Sequence, residues 1–78
     1  MATVYTKHGC PYCERAIIIL DRIGCQVQQI DVSVSQDPVA REIVARGMTV
    51  PQIFLGQEYI GGCDALEVYV REMIEQGY

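Results

Sequence analysis

The chain has 78 residues, half of them apolar, with six basic against ten acidic side chains and a net charge of −4. That length predicts one domain, residues 1–78, burying roughly 60% of the unfolded surface in a single modest core, and the apolar content excludes a disordered chain. The few Lys and Arg are never adjacent, which excludes nucleic acid as a partner, because phosphate binding needs clustered basic residues.

Ala2 to Thr6 alternates and is rich in β-formers, predicting a first strand. No charged segment or long apolar core precedes it, and the longest apolar run, Ala16 to Leu20, is too short for a bilayer. A cytoplasmic protein without membrane contact is expected. The loop Lys7-His8-Gly9 leads to Cys10, and Pro11 suits a first helical turn, where its missing N–H costs nothing. Cys13, Ala16, Ile17, Leu20 and Ile23 keep helical spacing, with Ile18 on the solvent side, and Gly24 ends the helix. Residues 26–32 predict a second strand. Asp37 reads as an N-cap with Pro38 behind it, opening a helix with Val39, Ile43 and Val44 on one face and Gly47 as its stop. Residues 51–55 predict a third strand, Gly56-Gln57 a tight turn, and residues 58–60 a short fourth strand. After Gly61-Gly62, a last helix buries Leu66, Tyr69, Val70, Met73 and Ile74. The order is βαβαββα, an α/β fold with a parallel crossover pair and a hairpin in one sheet.

Two of the four cysteines form Cys10-Pro11-Tyr12-Cys13 at the joint between the first strand and the first helix. A thiol attacks as its thiolate, and the free N–H groups and positive dipole end of a helix favour an anion. Lys7, three residues upstream, adds a positive charge. Cys13 lies one turn further in, partly shielded, and suits the resolution of a mixed disulfide formed on Cys10. A structural zinc site would need four ligands, usually in two close pairs. Cys25 and Cys63 stand alone and His8 is the only histidine, so no metal is expected. A secreted disulfide scaffold would need a signal peptide and a denser framework. Redox chemistry is the reading that remains.

Val4-Tyr5-Thr6-Lys7 followed by Cys10-Pro11-Tyr12-Cys13 resembles the glutaredoxin active-site segment. Thr49-Val50-Pro51-Gln52-Ile53-Phe54 resembles that family's TVP loop and following strand, and Gly61-Gly62-Cys63-Asp64 its third signature. The resemblance implies a thioredoxin fold, with a four-stranded mixed sheet flanked by three helices and a cis peptide before Pro51. It implies a glutathione-dependent thiol–disulfide oxidoreductase acting on glutathionylated or disulfide-containing proteins, with Cys10 as nucleophile, Cys13 as resolving thiol and glutathione as co-substrate. By the same resemblance, the Val50 main chain pairs with the cysteine of glutathione like an added strand. Lys7 meets the glycyl carboxylate, and the Cys63 and Asp64 amides meet the γ-glutamyl carboxylate. The Asp64 side chain pairs with the ammonium, Tyr12 packs on the tripeptide, and Thr49, Pro51 and Gly62 complete the contacts. Relatives often carry a longer, more basic stretch before the TVP loop, where this chain has Arg46-Gly47-Met48, and Arg41 is the nearest basic residue on that helix. A monomer is expected. Two other functions fit the same fold: a dimer holding an iron–sulfur cluster through Cys10 and glutathione, and an electron donor fed by thioredoxin reductase.

Overall fold

The computed structural model describes residues 1–76. Its elements run β1 (Ala2–Thr6), α1 (Pro11–Arg22), β2 (Val27–Asp31), α2 (Pro38–Ala45), β3 (Gln52–Leu55), β4 (Glu58–Gly61) and α3 (Cys63–Glu75), the predicted order. They form one four-stranded sheet in the order β2-β1-β3-β4. β1 pairs parallel with β2, from Ala2↔Val27 to Thr6↔Asp31, and antiparallel with β3, from Ala2↔Leu55 to Tyr5↔Gln52. The sheet is therefore mixed, with the strand that leads to Cys10 near its middle.

Alternation on β1 and β3 divides the interior into two layers. Ala2, Val4 and Ile53 point to one face and are sealed there by Ala16 and Leu20 of α1 and by Cys63 and Leu66 of α3. Tyr5 points to the other face, with Val32, Ala40 and Ile43, and Phe54 packs at its margin. Leu20, Ile53 and Leu66 are fully buried, and each such side chain contributes about 1.5–3 kcal/mol by leaving water. Tyr5 and Phe54 meet edge to face, their ring centroids 5.8 Å apart.

Helix ends follow local chemistry. The Gly24 N–H donates to Asp21 and the Cys25 N–H to Leu20, both at 3.0 Å, closing α1 with the paired bonds of a glycine C-cap. Gly24 has φ +82°, a conformation that a Cβ would penalise. Asp37 caps α2 by accepting from the Val39 and Ala40 amides at 3.0 and 3.2 Å, and Tyr5 donates its hydroxyl to the same carboxylate at 3.1 Å. Burial and that carboxylate push the Tyr5 hydroxyl up to about 12.

Four expectations need correction. On α2 the inward line is Ala40 and Ile43, whereas Val39 and Val44 are exposed; the helix sets the small Ala40 toward Tyr5 and turns both valines outward. On α3 burial fades along the stripe, complete at Leu66 and partial at Tyr69, Val70 and Met73. Ile74 is 65% exposed, because the helix packs on the core only as far as Val70. β2 is shorter than residues 26–32, yet hydrogen bonds from Ala2 N–H to Gln26 and from Val32 N–H to Thr6 carry the pairing to those ends. β3 begins after Pro51, which has no N–H for a ladder, and β4 runs on to Gly61.

Candidate active site

Cys10 is the N-cap of α1, with extended backbone at φ −97° and ψ 106°. Its Sγ accepts from the Cys13 amide N–H at 3.2 Å, where an oxygen usually caps a helix. A hydrogen-bond donor and the positive end of α1 thus converge on this sulfur. Pro11 at the first helical position removes an N–H that would have had no intrahelical partner. On its other side the Cys10 thiol lies 3.8 Å from the Val50 carbonyl oxygen and can donate to it.

Cys13 is 1% exposed, more deeply buried than the expected partial shielding. Burial first, then the adjacent Cys10 sulfur, pushes its thiol up, outweighing the downward pull of the Thr6 hydroxyl and the Lys7 backbone. The two sulfurs are unequal: Cys10 half-buried and capped by an N–H, Cys13 enclosed and held as a thiol. All four cysteines are free.

Beside Cys10 opens a groove of about 480 Å³ lined by Tyr12, Thr49, Val50, Pro51, Gly62, Cys63, Asp64 and Ala65. Seven of the eight residues expected to meet glutathione are therefore together. The Val50–Pro51 peptide is cis, as expected. A Cβ on Gly62 would sit 3.7 Å from the Pro51 carbonyl oxygen, so the start of α3 lies directly against the loop. Gly61 has φ +120°, and a Cβ there would come within 3.1 Å of the Ala65 Cβ; glycine is what lets β4 turn into α3. Gly62 supplies no side-chain cap, which leaves the first-turn N–H groups at Cys63 and Asp64 available to an acceptor.

The Cys63 thiol lies 4.0 Å from Glu67 Oε1, and Arg15 reaches the same oxygen at 3.2 Å, tying α1 to α3. Burial first, then the Glu67 charge, pushes the Cys63 thiol up, with Arg15 opposing.

Lys7 is the eighth residue, and it does not line the groove. It lines a cavity of about 260 Å³ on the other side, together with His8, Cys10, Cys13, Glu14 and Asp31. The Asp31 carboxyl there is held below the usual range, chiefly by the Ser33 hydroxyl and amide, and further by the His8 and Lys7 charges. Cys10 stands between the two concavities, 3.8 Å from a carbonyl of one and on the wall of the other. Arg41 lines neither.

Sequence reasoning missed Gln52, a buried polar residue directly behind the loop, and Ala65 at the groove's far wall. A polar residue among the apolar neighbours of β3 was the available signal. Among the described residues no group of three or more His, Cys, Asp or Glu is placed to hold a metal ion, and no helix is long and apolar enough to cross a membrane.

Comparison with known proteins gives a consistent family. The glutaredoxin family model matches residues 2–60. The chain is 43% identical to glutaredoxin 1 of Rickettsia bellii, over 81% of this chain and 69% of that protein. It is 41% identical to glutaredoxin 3 of Escherichia coli K12, over 81% of this chain and 77% of that one. Among solved structures, the buckwheat glutaredoxin–glutathione complex superposes with a TM-score of 0.74 at 32% identity, covering 92% of this chain and 69% of the buckwheat chain.

Proposed function

The chain belongs to the glutaredoxin family, has the thioredoxin fold and is a thiol–disulfide oxidoreductase, and on that premise we propose that it takes its electrons from glutathione. In this reading it reduces protein–glutathione mixed disulfides and protein disulfides, and residues 1–78 act as one glutaredoxin domain. The observation that carries it is the placement of Cys10 Sγ, capped by the Cys13 N–H and 3.8 Å from the carbonyl of a groove-lining residue, Val50.

The Cys10 thiolate attacks the glutathione sulfur of the mixed disulfide. A bond forms between those two sulfurs, the old disulfide breaks, and the electron pair leaves on the protein's sulfur, which takes a proton from water. The thiolate of a second glutathione then attacks the glutathione sulfur on Cys10. It leaves as oxidised glutathione and restores the Cys10 thiolate. With a protein disulfide, Cys13 instead attacks Cys10 in the mixed disulfide and expels the protein thiolate, and two glutathiones reduce the Cys10–Cys13 bond. Cys13 loses its proton in that step, and its burial keeps it a thiol until then.

The groove suits the tripeptide's charges. The Val50 main chain pairs with the glutathione backbone as a strand edge, between walls made by Thr49, Pro51 and Gly62. The Cys63 and Asp64 amides at the start of α3 take the γ-glutamyl carboxylate, and the Asp64 carboxylate takes the ammonium. Tyr12, 58% exposed, packs over the peptide. Lys7 reaches the glycyl carboxylate from the cavity side of Cys10. The protein acts as a monomer in the cytoplasm, where thiols are kept reduced. The test is turnover of a small glutathione mixed disulfide with glutathione and glutathione reductase. Wild type turns over, and Cys13→Ser keeps much of that rate while losing reduction of protein disulfides. No wild-type turnover with glutathione, alongside turnover fed by thioredoxin reductase, would contradict the reading.

A further inference from the structure

Gln52 is the one buried amide side chain among the described residues, at 6% exposure. Burying an amide is costly unless its hydrogen bonds are replaced, so such a residue has to be bonded in a definite way. Here both ends are used. The Gln52 Nε2 donates to the Thr49 carbonyl oxygen at 2.8 Å, and the Tyr59 hydroxyl of β4 donates to Gln52 Oε1. Thr49 itself is exposed. The amide therefore fastens an exposed stretch of loop to the sheet, through a residue one position after Pro51.

We propose that Gln52 is a positioning residue for the glutathione-binding edge: its amide, oriented by Tyr59, fixes the Thr49–Val50 peptide and so aims the Val50 main chain at the substrate beside Cys10. The inference rests on the glutathione reading above. A carbonyl direction sets the plane of the peptide that contains it, and the next N–H belongs to that plane. Holding the Thr49 carbonyl inward therefore fixes the Val50 N–H, and Val50 also presents the carbonyl that lies 3.8 Å from Cys10 Sγ. Because this edge binds substrate and transition state alike, loosening it should raise KM and leave kcat nearly alone.

Gln52→Met keeps the side chain's length and loses the amide, and Tyr59→Phe keeps the Thr49 bond and loses the group that orients it. With a glutathionylated peptide as substrate, Gln52→Met should raise KM about fivefold, the scale of one lost hydrogen bond, and Tyr59→Phe about twofold. In both, kcat should stay close to wild type. Backbone relaxation measurements on the same proteins should show lower order parameters at Thr49 and Val50, with Val4 and Leu20 unchanged. Unchanged order parameters at Thr49 and Val50 would overturn the proposal, and so would a fall in kcat at constant KM. If wild type showed no turnover with glutathione, the glutathione reading would fail, and the order parameters alone would decide whether Gln52 positions the loop.

Discussion

Two helices of this chain begin at a cysteine, yet their sulfurs meet opposite surroundings. Cys10 caps α1 and accepts the Cys13 N–H, half-buried between two concavities. Cys63 is the first residue of α3, 5% exposed, with the Glu67 carboxylate 4.0 Å from its sulfur and pushing its thiol up. A helix N-terminus therefore does not by itself make a nucleophile. What separates the two is which group faces the sulfur, a donor N–H or a carboxylate, and whether a disulfide can approach. In the proposed function the α1 terminus faces the attacking sulfur, whereas at α3 the free amides are left for a ligand's carboxylate. In the proposed reading, one terminus carries chemistry and the other carries recognition.

The largest effect should come from removing the sulfur at the first terminus. Cys10→Ser should lower glutathione-linked turnover at least about a thousandfold, as loss of a nucleophile commonly does, and a steady-state assay checks it. Next is the contrast itself. In limiting iodoacetamide at neutral pH, peptide mapping should find Cys10 modified on the order of a hundredfold faster than Cys63, because Cys63 is enclosed and held as a thiol beside Glu67. Comparable rates would erase the distinction. At the recognition terminus, Asp64→Asn should raise KM for a glutathionylated peptide about fivefold with little change in kcat, the size of one charge-assisted bond partly open to solvent.

The start of α2, which has no sulfur, isolates a purely structural terminus. Tyr5 is protonated in the folded state up to about pH 12, against an unfolded value of 10.0. The folded protein thus holds the proton more tightly. The stabilisation is fully present below pH 10 and is lost as pH rises toward 12, by about 2–3 kcal/mol at most. Urea denaturation across that window should show the loss in wild type, and Tyr5→Phe should flatten that component.

The α1 terminus was legible in the sequence because everything that defines it lies within a few residues: the strand Ala2–Thr6, Pro11 at the first turn, the apolar spacing and the cysteine pair. The groove was not legible by spacing, since Tyr12, Thr49 to Pro51 and Gly62 to Asp64 meet only when β3 pairs with β1 and α3 docks on α1. Motif resemblance supplied those residues, and geometry then gathered all of them except Lys7. The error at Val39 and Val44 has a simple cause. On a helix of eight residues the apolar positions allow more than one inward face, and packing against Tyr5 selected the smaller Ala40. Gln52 escaped notice because its partner Tyr59 lies seven residues away, across a turn.

The most direct test of the account is to trap the intermediate. Cys13→Ser protein is incubated with oxidised glutathione, and the adduct is located by intact mass and peptide mapping. A single glutathione on Cys10 is expected, with the Cys25 and Cys63 thiols unmodified and the adduct released by added glutathione. A first adduct on Cys63 or Cys25, or none at all, would contradict the claim that the capped sulfur at α1 is where the chemistry begins.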